Sequence, residues 1–301
     1  MTTFAEVSRA QVAYIAETTY GNTPATPTTV LIPFVNFNIN PTIDQFQDTS
    51  IRSDRQHRYS ISGNQHVTGD LQVNLNNHNF DPFLASVVAG AWATNVLKVG
   101  STQTSFTFEQ GSLDIGQYFL YTGVMMDKLA LTVNTTGMVD AKFSVVAQDA
   151  LLSSTTICAT PTAITEKQPF VHLGGTFKEG GAVTALISAI VLNVDNKLTA
   201  NFTLGSPFAQ NLSSGMIDVT GTATVMFQDA VIANKFLNGT ASVLDFTLTD
   251  GTNTMEFTLP NVKYTGLTRS VSGSGPIMLT LPFTALYDAT TATVMTITRS
   301  S

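Results

Sequence analysis

The sequence predicts an all-β protein with a few short helices, and three observations support that fold class. Apolar and polar residues alternate through many short segments rich in β-branched and aromatic types, as in strands with one buried face. Glycine, asparagine, aspartate and proline interrupt these segments at short intervals, as turn residues do. Only two segments have convincing helical spacing. Strand candidates are 71–75, 104–110, 128–134, 141–148, 198–204, 242–248, 254–259 and 276–286.

The first predicted helix lies within residues 79–92. Asp81 is expected to cap it and Pro82 to take its first position, where a missing N–H costs nothing. The residues expected to form its apolar stripe are Phe83, Leu84, Val87 and Val88.

The second predicted helix lies within residues 227–239, with Asp229 as its cap and Asn238 and Gly239 at its end. A third short helix is a further possibility at 184–190. The residues expected to form the apolar stripe of the second helix are Val231, Ile232, Phe236 and Leu237.

The two halves of the chain repeat one order of features. "HVTGDLQVNL" at 66–75 is matched by "DVTGTATVMF" at 218–227, and each precedes a predicted helix. Further matches, at steadily decreasing offsets, pair the two capping aspartates, the Phe-Thr pairs at 106–108 and 246–248, and the strands at 118–129 and 256–267 and at 137–149 and 275–288. We interpret this as a tandem duplication, with domains at 1–160 and 161–301. Two sandwiches with generic strand patterns are the alternative.

Composition limits the class of protein. A chain of 301 residues fits two domains, although one large domain is possible. Charged residues are only 12% of the chain against 43% hydrophobic, which suggests extensive subunit contact. A net charge of -7 argues against a general nucleic-acid binder, because phosphate binding depends on lysine and arginine.

Chemical motifs are few. Cys158 is the single cysteine, so an intrachain disulfide and a cysteine-based zinc site are excluded. A single cysteine also suggests folding in a reducing compartment, and its thiol is expected to be inert. Glu6 and Arg9 interrupt the start of the chain, so no export signal is predicted, and the apolar run at 182–194 is too short to span a bilayer.

No enzyme, cofactor or metal site is predicted. The glycine-rich segment 172–181 lacks the order of a phosphate-binding loop, and no nucleophile elbow or acid/base pair stands out. The four histidines, which lack metal-ligand spacing, are His57, His66, His78 and His172.

A cluster of arginines departs from the acidic background. Arg52, Arg55 and Arg58 are three of the chain's six arginines. Since the planar guanidinium suits bidentate binding of carboxylates, they are candidate residues for a contact with a neighbouring subunit. The alternative is a solvated loop in which they pair locally with Asp48 and Asp54, and DNA binding is a more distant possibility.

Several of these segments carry a family resemblance. "ETTYGNTPATP" (17–27), "IPFVNFNINPTIDQF", "IRSDRQ", "VTGDLQVNL", "FDPFLASVVAGAW" and "FEQGSLDIGQYFLYTGVMMDKLALTV" resemble the major tail tube proteins of long non-contractile-tailed (siphovirus-type) bacteriophages. The resemblance covers about the first 150 residues, and the second half is linked to the family only through its likeness to the first.

The resemblance implies a fold and an assembly. Tail-tube-type domains are β-sandwiches or barrels with a flanking helix, and six of them surround a channel in stacked rings. A chain with two such domains would then form trimeric rings with pseudo-sixfold symmetry. The segment from about 42 to 66 resembles the extended loop of the family, which would place Arg52, Arg55 and Arg58 at a subunit or ring contact.

The resemblance also implies partners and a location. The chain would pack against itself, enclose a tape-measure protein, and meet tail terminator and distal tail proteins at the two ends of the tube. Genomic DNA would pass through during ejection without specific binding, along a wall poor in cations. The protein would be made and assembled in the bacterial cytoplasm, would reside in the virion tail, and would not bind membranes.

Three alternatives remain at this point. The first is another virion structural protein, such as a tail terminator or baseplate hub. The second is a carbohydrate-binding β-sandwich for host attachment, although the single tryptophan, Trp92, is expected to be packed. The third is a second half that is an added surface domain, which would put six chains in each ring.

Overall fold

A computed structural model describes residues 4–183, 187–228, 230–271 and 274–300. The predicted fold class is confirmed, because these residues form antiparallel β-sheets with two short α-helices and a single-turn helix at Val7–Arg9. One hydrogen-bonded network links all the described strands except a separate two-stranded hairpin.

The strands are numbered along the chain. Those of the first half are β1 (Ala10–Ala16), β2 (Val30–Leu31), β3 (Asn36–Gln47), β4 (Ser60–Asn74), β5 (Trp92–Ala93), β6 (Val96–Lys98), β7 (Phe106–Ser112), β8 (Gln117–Asn134), β9 (Asp140–Ala147) and β10 (Asp149–Ser153). Those of the second half are β11 (Val171–Glu179), β12 (Ala182–Val183), β13 (Ile187–Asp195), β14 (Thr199–Asn201), β15 (Asn211–Ser213), β16 (Asp218–Met226), β17 (Ser242–Thr249), β18 (Thr254–Tyr264), β19 (Thr268–Ser270), β20 (Met278–Ala285) and β21 (Thr296–Arg299). The helices are α1 (Asp81–Val87) and α2 (Val231–Leu237).

The long strand β8 organises the first half. Its C-terminal part lies in a sheet of order β3, β4, β9, β8. Its N-terminal part pairs with β10 on one side and β7 on the other, and β7 pairs with β1. Because β8 belongs to both sheets, the two layers share one core, which α1 closes.

The second half has the same strand order. One sheet has the order β13, β16, β20, and β20 pairs in turn with the end of β18 and with β19. The start of β18 pairs with β17 on one side and with β21 on the other, and β17 pairs with β11. The two Val-Thr-Gly tripeptides occupy the same register, since Val67 pairs with Ala147 and Val219 pairs with Ala285, each at the end of the next strand of its sheet.

A glycine is required at the same point of both sheets. A Cβ at Gly69 would overlap the carbonyl oxygen of Asn38 on β3, and a Cβ at Gly221 would overlap that of Val191 on β13. Backbone atoms cannot move aside cheaply, so the glycine permits this close approach of two strands.

Replacement of either glycine by alanine is therefore expected to cost about 1–3 kcal/mol of unfolding free energy, as overpacking does. Urea denaturation of Gly69→Ala and Gly221→Ala measures it, with the exposed neighbour Thr68→Ala as the control, expected to change by less than about 0.5 kcal/mol. If one glycine proved replaceable at no cost, the two positions would not be equivalent.

Two of the sequence predictions differ from the structure. Irregular pairing places Phe106 opposite Val124 and Ser242 opposite Val262, so the Phe-Thr pairs do not correspond and the second is displaced along its strand. The possible helix at 184–190 is wrong where it can be judged: its first three residues lie outside the described part, and Ile187 begins β13.

The helices also differ from expectation. Asp81 is the first residue of α1 and Phe80 precedes it without a side-chain cap, while Asp229 lies outside the described residues. In α1 the stripe prediction holds, because Phe83, Leu84 and Val87 are fully buried. In α2 it fails in part, since Val231 and Leu237 are exposed. Ile232 and Phe236 are only partly buried, although the helix ends at Asn238 as predicted.

Candidate assembly interface

The two halves meet in a continuous antiparallel sheet. β8 of the first half pairs with β13 of the second through seven residue pairs, from Lys128 opposite Asp195 to Asn134 opposite Ala189. The sheet therefore runs from β3 through β4, β9, β8, β13, β16 and β20 to β19. We call this the main sheet.

Both ends of the main sheet are open. Among the described strands β3 pairs only with β4, and β19 pairs only with β20. Pro41 in β3 lacks an N–H, and proline within sheets is confined mainly to such edges. An open edge offers unpaired backbone groups to another strand.

One face of the main sheet packs on the core and the other is polar. Residues alternate between buried and accessible along β9, β16 and β20. Three lysines reach the polar face or its border, and each pairs with an aspartate: Lys142 with Asp70 at 2.9 Å, Lys128 with Asp195 at 3.0 Å, and Lys197 with Asp218. These accessible pairs add little stability, but they neutralise the cations.

A nearly buried ion pair fastens the end of the chain to α1. The guanidinium of Arg299 on β21 pairs with Asp81, and the two side chains are 13% and 11% exposed. Arg299 also lies 4.3 Å from the ring centroid of Trp92, whose indole N–H donates to the Asp81 carbonyl at 3.0 Å. We call Asp81, Trp92 and Arg299 the latch.

His78 borders the latch, with Nδ1 3.3 Å from the Asp81 carboxylate. Burial, together with the charges of Arg299 and Lys167, lowers the pKa of His78, which favours the neutral imidazole. Strand pairing supports the latch, because β21 also pairs with β6, which follows α1. Sequence reasoning missed Arg299, since nothing local marks a partner so distant in the chain.

A second polar cluster holds α2. Lys235 Nζ donates to both carboxylate oxygens of Glu179 at 2.7 and 2.8 Å and to Ser242 Oγ at 3.0 Å. The Tyr264 hydroxyl donates to Glu179 at 3.3 Å, and burial followed by the nearby carboxylate raises the pKa of Tyr264. The cluster orients α2 although that helix buries little apolar surface.

The predicted arginine cluster lies in the long connection between β3 and β4. Arg52 pairs with Asp48 at 2.8 Å and Arg58 with Asp54 at 2.7 Å. Within one chain both arginines therefore make the local ion pairs that were the alternative to a contact between subunits. Arg55 has a left-handed backbone with φ of 59°, and its side chain has no charged partner among the described residues.

The candidate chemical residues are scattered. His57 and His66 lie near the β3–β4 connection, where they contact the Asp48 carbonyl and the Asp44 carboxylate. Cys158 is partly exposed. Within the described residues, no group of three or more histidine, cysteine, aspartate or glutamate side chains is arranged to hold a metal ion.

No helix in the described part of the chain is long and apolar enough to cross a membrane.

Comparison with known protein families shows the family to which the chain belongs. The sequence model of the family described as "Phage tail tube protein" matches residues 7–285, which includes both halves of the main sheet. The chain belongs to this family. No curated protein matches it at a significant level. As a tail tube protein it is a structural component of a phage tail, and membership implies self-assembly into a tube with other tail proteins.

The family match extends the resemblance seen in the sequence. That resemblance covered about the first 150 residues of the tail tube protein, whereas the match continues through β20. Trp92, the single tryptophan, is partly buried within the latch and packs against the core, as expected, which is a poor setting for a sugar-binding face.

Proposed function

We propose that this tail tube protein is a tandem duplication whose three copies close a ring of six domains. The observation that carries the proposal is the β8–β13 pairing, which joins two halves of equal strand order inside one chain. We infer that neighbouring domains of the ring also meet through such a junction. The latch and the β21–β6 pairing reinforce it from a second side.

The same junction indicates how chains would meet. By the matching registers, β3 of the first half corresponds to β13 of the second half. In the same way, β19 of the second half corresponds to the C-terminal end of β8 in the first half. The open edge β19 of one chain would pair with the open edge β3 of the next. This contact is head-to-tail, and three such contacts would close the ring.

The polar face of the main sheet is our candidate for the channel wall. Thr220, Thr222 and Thr224 on β16 alternate with buried residues and lie on this face. With its lysines paired to aspartates, the face offers DNA few free cations to bind, because binding to phosphates depends on cations that displace counterions. DNA would then pass during ejection without being retained.

The proposal extends to the stacking of rings and to the partners of the tube. Head-to-tail contacts between rings leave both ends of the stack open, so that further rings can add. Rings would stack into the tube of a long non-contractile, siphovirus-type tail, around a tape-measure protein and between terminator and distal tail proteins. Assembly would take place in the host cytoplasm. The Arg52, Arg55 and Arg58 cluster would lie at a contact between subunits. Arg55, which has no charged partner among the described residues, would meet a carboxylate there.

Purified protein is expected to form rings that polymerise into long tubes, visible by negative-stain microscopy. Long tubes support the tail tube role over that of a tail terminator, which would stop at single rings. Arg52→Ala, Arg55→Ala and Arg58→Ala together are expected to impair tube formation at ordinary salt. Normal tubes from this triple variant would contradict the role given to the arginines.

A further inference from the structure

Each half carries an extended connection at the same place in the main sheet. Asp195 opposite Asp218 in the second half corresponds in register to Thr42 opposite His66 in the first. We call residues 43–64 arm 1 and residues 196–216 arm 2. Arm 2 contains the β14–β15 hairpin, and arm 1 contains the ends of β3 and β4 with the arginine cluster.

Arm 2 is docked on the first half of its own chain. The Pro207 carbonyl accepts a hydrogen bond from the Gln65 N–H at 2.8 Å, and Gln148 Nε2 donates to the Ala209 carbonyl at 2.9 Å. Ala209 and Leu212 of arm 2 pack with Met125 in a small buried cluster. We call Gln65, Met125 and Gln148 seat 1.

The register identifies a matching surface on the second half. Gln148 follows Ala147, which pairs with Val67, just as Leu286 follows Ala285, which pairs with Val219. The residues equivalent to seat 1, together with the adjacent Tyr287, are Ile217, Lys263, Leu286 and Tyr287. We call this set seat 2.

Most of seat 2 is exposed and it is partly apolar, although Ile217 packs against the core. Leu286 is 41% and Tyr287 65% exposed, and Lys263 is exposed as well. In seat 1, by contrast, Met125 is only 7% exposed. Exposed apolar side chains grouped on one surface indicate a contact site.

Arm 1 has the complementary character. Phe46 and Ile61, which pair across its two strands, are 60% and 65% exposed, and Ile43 and Tyr59 are more than half exposed as well. The apolar residues of arm 2 that rest on seat 1 are instead buried, with Ala209 at 1% and Leu212 at 3%. One arm is docked and one seat is filled, whereas the apolar side chains of arm 1, and those of Leu286 and Tyr287 in seat 2, are exposed in the described part of the chain.

We propose that arm 1 of one chain docks on seat 2 of a second copy, in the manner in which arm 2 docks on seat 1 within the chain. The proposal rests on the proposed ring, since β19 of one copy beside β3 of the next brings seat 2 and arm 1 together. The apolar side chains of Phe46, Ile61, Leu286 and Tyr287 become covered in this contact. The arginine cluster is carried to the same interface.

A cross-linking experiment tests the contact in assembled tubes. A variant that carries Ile61→Cys and Leu286→Cys in the same chain, with Cys158→Ser to remove the natural thiol, is assembled into tubes. The tubes are treated with a flexible bis-maleimide, and the linked peptides are identified by mass spectrometry. We expect covalently joined dimers and trimers and a 61–286 cross-link between copies. Ile61→Cys with Leu237→Cys is the control, since Leu237 on α2 is exposed but lies outside seat 2.

A matched pair of substitutions adds an independent measurement. Leu286→Asp is expected to raise the protein concentration needed for assembly at least tenfold, while Leu237→Asp leaves it unchanged and both keep the monomer's circular dichroism. Tubes that form without a 61–286 cross-link would overturn the contact and leave the ring proposal standing. A wild-type chain that stays monomeric would contradict both.

Discussion

Arg299→Met is expected to lower the free energy of unfolding by about 3–5 kcal/mol, because it leaves the Asp81 carboxylate nearly buried without its partner. Methionine keeps much of the apolar stem over Trp92 but removes the charge that both Asp81 and the indole ring attract. Since the latch joins the last strand to α1, the loss falls on the contact between the halves. Urea denaturation followed by Trp92 fluorescence reports it directly.

Two variants separate the causes of this effect. Arg299→Lys retains the charge but not the planar stacking, so an intermediate loss is expected. Lys142→Gln removes an accessible pair, with side chains 47% and 32% exposed, and is expected to cost no more than about 1 kcal/mol. If Arg299→Met were as mild as Lys142→Gln, the latch would not hold the halves together.

Phe83→Ala is expected to destabilise the protein by about 3–5 kcal/mol, as large cavities in cores do. Phe83 is fully buried, and its ring meets those of Tyr14, Phe106 and Phe108 at centroid distances of 4.8, 5.4 and 5.7 Å. Edge-to-face aromatic contacts of this kind add to the burial itself. The ring of Phe143 on β9 also lies 5.9 Å from that of Phe83, so the aromatic cluster attaches α1 to both sheets of the first half.

Truncation of a phenylalanine on the second helix is expected to be mild by comparison. Phe236 on α2 is only partly buried at the margin of the core, so Phe236→Ala should cost about 1–2 kcal/mol. Thermal and urea unfolding of the two variants give the comparison. Equal losses would show that α2 is as deeply built into the fold as α1, contrary to its exposure.

The strands were predictable because their alternation is local. The two Val-Thr-Gly segments occupy the same register, and Gly69 and Gly221 both lie against a neighbouring backbone, a position that glycine fits because it lacks a Cβ. The Phe-Thr match was displaced because a shift by an even number of residues preserves the alternation and looks equally good. Pattern alone therefore fixes the face of a strand more reliably than its register.

The interface was only partly predictable. The arginine cluster was found from local charge, but its pairing with Asp48 and Asp54 depends on the turn that the chain adopts. The latch and both seats join residues far apart in sequence, and no single segment carries their signal. The exposure of α2 likewise depends on how much surface the sheets leave to cover, which helical periodicity does not report.

Counting the chains in one ring tests the central claim most directly. An averaged cryo-electron microscopy image of assembled tubes should show three chains per ring, six similar domains around the channel, and β19 of each chain beside β3 of the next. A ring of six chains, each contributing one domain to the wall, would contradict the account.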